Sequence, residues 1–217
     1  MSAKHNMQKP MILALTFLSG FVNVMGIMLF EIPVSHFTGN ITQISMGILG
    51  GDASRAIQLG LCFLLFFLGS FVTGYIHYCN RPRLKNHYEY VLVAQALFLI
   101  LYQMAFSSQL LFLIAFYMGI QNGVFVFYDD IRVRFTHMTG YLTEAALDTA
   151  AFLNGKHTGK RIWFYLSSIL TFLVGCIAAV IVGLYRKNIL VMTTFMLYLS
   201  IGTLLYMEKN PVEAENK

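Results

Sequence analysis

The chain has 217 residues, 57% of them hydrophobic and only 12% charged, with a mean hydropathy of +0.65. A soluble domain with about a quarter of its residues charged is excluded by that balance. The net charge of +5 sits in short basic clusters between apolar runs, which is the pattern of membrane topology signals and not of a nucleic-acid surface. Several runs reach the about 17–25 apolar residues that cross a bilayer. No room is left for a soluble domain of about 50 residues, so the fold class is an all-α polytopic membrane protein forming one domain over residues 1–217.

In chain order, Lys4 and Lys9 precede an apolar run over 11–30. It is longer than the 7–15-residue core of a signal peptide and no small-residue cleavage site follows, so it reads as a retained first span. Gly20, Asn23 and Gly26 interrupt it, and Pro33 forbids its continuation. The stretch His36-Phe37-Thr38-Gly39-Asn40-Ile41-Thr42 opens a helix over 38–49. Twelve residues give about 18 Å of helix, short of the roughly 30 Å hydrocarbon core. Its polar content predicts a partial, re-entrant helix packed inside protein, because such backbone is tolerated at that depth only there or beside water. Spans follow over 56–79 and 90–106, separated by the basic loop 81–85. In the first of these, Gly69 and Thr73, and Ser70 and Gly74, have the four-residue spacing of small residues that lets helices approach closely.

The second half repeats this plan. A span over 110–128 carries Gly119, Gln121 and Asn122, and the linker 129–134 leads to His137-Met138-Thr139-Gly140-Tyr141-Leu142-Thr143. A second short helix, 139–153, holds Glu144 and Asp148. Spans over 162–185 and 189–207 and a polar tail, 208–217, complete the chain. Both His-x-Thr-Gly stretches follow a Gly-x-x-Asn, and the offsets between the halves drift only from 99 (Gly20 to Gly119) through 101 (His36 to His137) to 106 (Gly69 to Gly175). This predicts two repeats, at about 11–106 and 109–207. Cys62, Cys79 and Cys176 have neither metal-ligand spacing nor an even count and read as small apolar packing residues.

Charge decides the expected topology. With six spans, two non-spanning Thr-Gly helices and cytoplasmic termini, only Arg55, Arg186 and Lys187 of the fifteen Lys and Arg face outward. Models in which both short helices span put either the 81–85 cluster or Lys156, Lys160 and Arg161 outside, against the positive-inside rule. Three spans per half invert the second half relative to the first. That arrangement, with short or broken helices, is typical of secondary transporters whose sites lie near the midplane; eight spans would make the repeats parallel.

The polar set is then weighed residue by residue. His36 and His137 read as interfacial residues bonded to nearby backbone, or as proton-sensitive ligands. Thr38 and Thr139 are expected N-caps, and the helix starts behind Gly39 and Gly140 would offer positive dipole ends to a polar solute. Asn23, Asn40, Gln43, Gln121 and Asn122 either cross-link helices or line a hydrophilic path. Glu144 and Asp148 share a helix face; an ionisable group within a membrane is a functional candidate by default, and a buried carboxylate would have its pKa raised and suit proton coupling. The alternatives are a salt bridge to Arg132, Arg134 or Arg161, or exposure at the cytoplasmic face. The first half has Gln43 and Gly47 at the matching positions, so one repeat alone carries acid. No soluble-enzyme motif is present, and no metal or other cofactor is expected.

The runs Val34-Ser35-His36-Phe37-Thr38-Gly39-Asn40, Gly50-Gly51-Asp52 and Met118-Gly119-Ile120-Gln121-Asn122-Gly123, with Thr139-Gly140-Tyr141-Leu142-Thr143, resemble the bacterial YoaK family over about residues 10–207. Glu144 stands where Asp is expected in many members, which keeps the carboxylate. The resemblance implies a bacterial inner-membrane location and supplies no substrate or reaction. The leading expectation is a secondary transporter or facilitator of a small polar solute, with proton linkage as an option. The alternatives are a scaffold or subunit of a larger complex and, third, an intramembrane enzyme with a histidine within reach of Glu144 or Asp148. Expected partners are the lipid bilayer and a small polar solute or proton, with self-association left open and nucleic acid excluded.

Overall fold

A computed structural model describes residues 5–6, 9–78, 92, 95–97, 109–124, 126–128 and 130–209. The basic loop 81–85, Cys79, Gln103, the tail beyond Lys209 and all of the run 90–106 except Leu92 and residues 95–97 lie outside the described residues; Gln95 is helical and buried. The elements are β1 (His5–Asn6), α1 (Lys9–Phe30), α2 (Phe37–Gly50), α3 (Ala53–Tyr78), α4 (Leu110–Gly123), β2 (Val126–Tyr128), β3 (Ile131–Arg132), α5 (Met138–Leu153), α6 (Gly159–Tyr185) and α7 (Lys187–Lys209). α1, α3, α6 and most of α7 are long and apolar enough to cross a membrane. The protein is therefore a helical membrane protein.

The expected span over 110–128 breaks early. α4 stops at Gly123 after 14 residues, and Val126–Tyr128 is extended, pairing parallel with β1 and antiparallel with β3. The run Val124-Phe125-Val126-Phe127-Tyr128 consists of β-branched and aromatic residues, which favour strands. Gly123 itself sits where a Cβ would crowd Thr73 and Ser70 of α3.

Two helix crossings organise the bundle, both at glycine. A Cβ on Gly20 of α1 would collide with the Phe172 carbonyl of α6, and one on Gly175 of α6 with the Phe17 carbonyl of α1. At the second crossing Gly119 of α4 meets the Phe66 carbonyl of α3, and Gly69 of α3 meets the Phe116 carbonyl of α4. All four glycines end a Phe-x-x-Gly, and at each crossing the backbones interlock reciprocally. Without a hydrophobic drive between helices in lipid, such van der Waals closeness is what holds them together. Ser70 and Thr73 donate to the carbonyls of Gly119 (2.9 Å) and Ile120 (3.2 Å), and the Cys176 thiol lies 3.5 Å from the Gly20 carbonyl. The contacts advance together along both chains (Phe17 with Gly175, Met28 with Gly183; Phe66 with Gly119, Ser70 with Gly123), so each pair is parallel. β1 precedes α1 and pairs with β2, which follows α4, so α1 leaves the end of the bundle at which α4 arrives.

α7 closes the bundle against α1 and α6, directly after Arg186. Its Tyr198 is fully buried and donates to the Gln121 side chain at 3.0 Å, and Thr194 meets Met25. The core runs through Leu15, Leu18, Phe21, Met118 and Tyr198.

Candidate functional site

The two Thr-Gly helices form the first arms of helical hairpins. α2 packs antiparallel on α3, with Phe37 against Phe66 and Gly47 against Ala56. α5 packs likewise on α6, with Tyr141 against Tyr165 and Asp148 against Arg161. Gly51 (φ +83°) and Gly155 (φ +81°) turn the two hairpins in the left-handed region that favours glycine. At 1.5 Å per residue, α2 begins about 20 Å along α3 and α5 about 15 Å along α6. Both starts therefore lie near the middle of a long helix. The His36 ring stacks on Phe172 of α6 with centroids 5.9 Å apart, and the α5–α6 register brings the start of α5 to within a turn of that residue. α3 starts where α1 ends, since the Arg55 guanidinium donates to the carbonyls of Phe30 (3.2 Å) and Glu31. As α6 runs parallel to α1, the two hairpins enter from opposite ends.

The loops that bring the chain to these starts are tied down alike. The Asn23 carboxamide oxygen accepts the Ser35 hydroxyl (2.8 Å) and backbone N–H (3.2 Å). The Asn122 carboxamide oxygen accepts the Thr136 hydroxyl at 3.0 Å. Gln121 is fully engaged, donating to the Leu15 carbonyl and Ser19 and accepting from Tyr198. These three amides therefore act as cross-links. Asn40, also buried, donates to the Pro33 carbonyl at 2.8 Å, and its oxygen has no partner among the described residues.

Two expectations are corrected, and one pair of alternatives is decided. Thr38 and Thr139 are not N-caps: each helix starts one residue earlier, His36 and His137 occupy the cap positions, and neither makes a side-chain capping bond. The short helices are not wrapped in protein, either. In α2 only Asn40 and Gly47 are buried, while Thr38, Gly39 and Gln43 are exposed, and in α5 only Tyr141, Ala145 and Asp148 are buried, because each helix packs on one side of its hairpin partner. Thr139 and Glu144 are likewise exposed. Of the two acids, then, it is Asp148 that is buried, paired at 3.0 Å with the Nε of Arg161 in the salt bridge that was the alternative reading.

Beside α5 lies a cleft of about 330 Å³, lined by Asp130, Ile131, Arg132, His137, Gly140, Tyr141, Glu144, Arg161 and Tyr165. It brings His137, Gly140 and Glu144 together and adds residues the sequence reading left out. The His137 ring lies over Gly140, in the space a Cβ would fill. The Tyr141 hydroxyl accepts the Arg134 N–H at 2.8 Å, and the Tyr165 hydroxyl lies 3.5 Å from an Arg161 nitrogen. Glu144 makes no hydrogen bond or ion pair among the described residues. Behind the cleft the Arg134 guanidinium donates to the carbonyls of Asn122 (2.6 Å) and Val124 (3.2 Å), a cation on the carbonyl end of α4. Burial, with Arg132 nearby, lowers its pKa to about 10. Ser35 and Thr136 were legible in principle, since each directly precedes the histidine of its motif.

No curated protein and no solved structure matches the chain. A family model described as a protein of unknown function, DUF1275, matches residues 11–205, and the chain belongs to that family.

Proposed function

We propose that the chain is a secondary transporter or facilitator of a small polar solute. In this reading it is built from two inverted repeats, at about 11–106 and 109–207, with the fourth of its six spans interrupted at Gly123. It sits in a bacterial inner membrane with both termini cytoplasmic, as a YoaK-type member of its family. The observation that carries the reading is the pair of half-helices: they enter from opposite ends, their starts lie near mid-bundle, and an open cleft adjoins the second. Binding sites of inverted-repeat transporters are made from such interrupted helices at the repeat interface. The inversion is supported by the matched Phe-x-x-Gly crossings, by the matched Asn anchors and by α1 running against its counterpart α4. Proton linkage would draw on Glu144 or Asp148. An enzymatic step would need a His–carboxylate hydrogen bond, and among the described residues neither His36 nor His137 makes one to either acid.

The test is flux in proteoliposomes across a panel of small cationic, anionic and neutral polar solutes, with and without a pH gradient. Saturable flux of one class supports the reading, and no flux of any solute or of protons overturns it. A second reading, a subunit covered by a partner, is favoured by one observation: Thr38, Thr42, Gln43 and Ser45 of α2 are exposed on a helix assigned to the membrane. A stable hetero-complex on mild extraction, together with absent flux, would select it.

A further inference from the structure

We propose that the cleft beside α5 binds a small primary ammonium ion, with the Glu144 carboxylate as counter-charge and Tyr141 and Tyr165 as its aromatic walls. The inference deepens the transport reading and rests on it, because the bound cation is taken to be the class of solute carried.

The charges of the cleft are unequally committed. Arg161 is held by Asp148 at 3.0 Å and lies by the Tyr165 hydroxyl. Asp130 and Arg132, of opposite sign, flank Ile131 in the β2–β3 hairpin. Glu144 makes no hydrogen bond or ion pair among the described residues and feels Arg161 only through a longer-range attraction. A carboxylate on an open cleft with no bonded cation attracts a ligand of opposite charge. An anion would meet Glu144 repulsively and find Arg161 already neutralised. The tyrosines, each only 3% exposed, line the cleft and offer an apolar wall to the carbon chain of the amine. Their ring centroids are 5.4 Å apart and their hydroxyls are bonded to or near Arg134 and Arg161, so both rings are set before a ligand arrives. A volume of about 330 Å³ suits an amine of a few carbons. The first half, with Gln43 and Gly47 at the matching positions, offers no such charge.

The experiment is titration calorimetry on the full chain in nanodiscs of zwitterionic lipid, with n-butylammonium, butyrate and 1-butanol as cationic, anionic and neutral probes of one shape. Expected are saturable binding of butylammonium alone, at least tenfold weakening in Glu144→Gln, and partial retention in Glu144→Asp. Saturable binding of butyrate, equal binding of butanol, or an unchanged Glu144→Gln would overturn the proposal. Should Glu144→Gln not fold, the comparison of the three probes on the unaltered protein decides. Butylammonium binding without flux of any solute would sink the transport reading and leave the site standing; flux of another solute with no ammonium binding would do the reverse.

Discussion

Replacing Gly175 by Ala tests the crossing of α1 and α6. A methyl there enters the space of the Phe17 carbonyl, with the Phe17 carbonyl carbon and Cα close behind, so no flexible side chain can yield. The helices must part by about 1 Å, and a gap of 0.5–1 Å forfeits a quarter to a half of each dispersion contact. Overpacking of this kind costs about 1–3 kcal/mol. The lost contacts would include the reciprocal Gly20–Phe172 approach. Gly60 and Gly74 of α3 provide the control. Among the described residues a Cβ at either meets nothing within 4 Å, so Ala there should stabilise by up to about 0.5–1 kcal/mol through reduced backbone freedom. The assay is thermal unfolding in detergent of a chain with Cys79 and Cys176 replaced by Ala, read by reaction of the fully buried Cys62 with a thiol-reactive dye. Gly175→Ala, Gly20→Ala, Gly119→Ala and Gly69→Ala should all lower the midpoint, while Gly60→Ala and Gly74→Ala leave it level or raise it. Equal effects at Gly175 and Gly74 would refute the reasoning, since the two differ chiefly in what their Cβ would touch.

Asn23→Ala removes the acceptor of both Ser35 bonds inside a buried site and should destabilise by about 1–3 kcal/mol; Ser35→Ala, which deletes one donor and leaves the backbone bond, should cost less in the same melt. Arg161→Gln leaves Asp148 buried without its cation. A fully buried pair broken this way costs about 3–5 kcal/mol, but the Arg161 side chain is 48% exposed and water screens it. A loss of about 1–2 kcal/mol is expected, largely restored by Asp148→Asn in the double variant, and a purely additive double variant would refute the coupling.

Much of the fold was legible because length and polarity constrain a membrane helix tightly. The short helix expected over 38–49 is Phe37–Gly50, and that over 139–153 is Met138–Leu153. Gly51 marks the end of the first because only glycine takes its φ without strain. The misreadings have physical causes. Thr38 and Thr139 look like caps, yet a cap is defined by where the backbone turns helical, and here it does so at Phe37 and Met138. The run over 124–128 is apolar enough for a span, and β1 and β3, distant or downstream in sequence, draw Val126–Tyr128 of it into a strand. Glu144 and Asp148 are equivalent in spacing, and the α5–α6 register, which puts Arg161 opposite Asp148, separates them. The four Phe-x-x-Gly segments were in plain view, but their meaning depends on which helices cross.

The two halves also differ beside the cleft. Gly47 and Asp148 hold matching positions at the offset of 101. A Cβ on Gly47 would lie 3.0 Å from the Asp52 carbonyl and 3.2 Å from the Ala56 Cβ, so the first hairpin closes on its own backbone. In the second hairpin a carboxylate and a guanidinium stand in that place, 3.0 Å apart. If that pair keeps α5 off α6, the space beside Tyr141, Glu144 and Tyr165 depends on it. Removing the pair with Asp148→Gly and Arg161→Ala together should then let α5 close on α6 and narrow the cleft. A cysteine at Glu144, in a chain with Cys62, Cys79 and Cys176 replaced by Ala, reports this through its alkylation rate with a charged maleimide. That rate should fall severalfold when the pair is removed; an unchanged or faster rate would mean that the cleft is held open by something other than the Asp148–Arg161 pair.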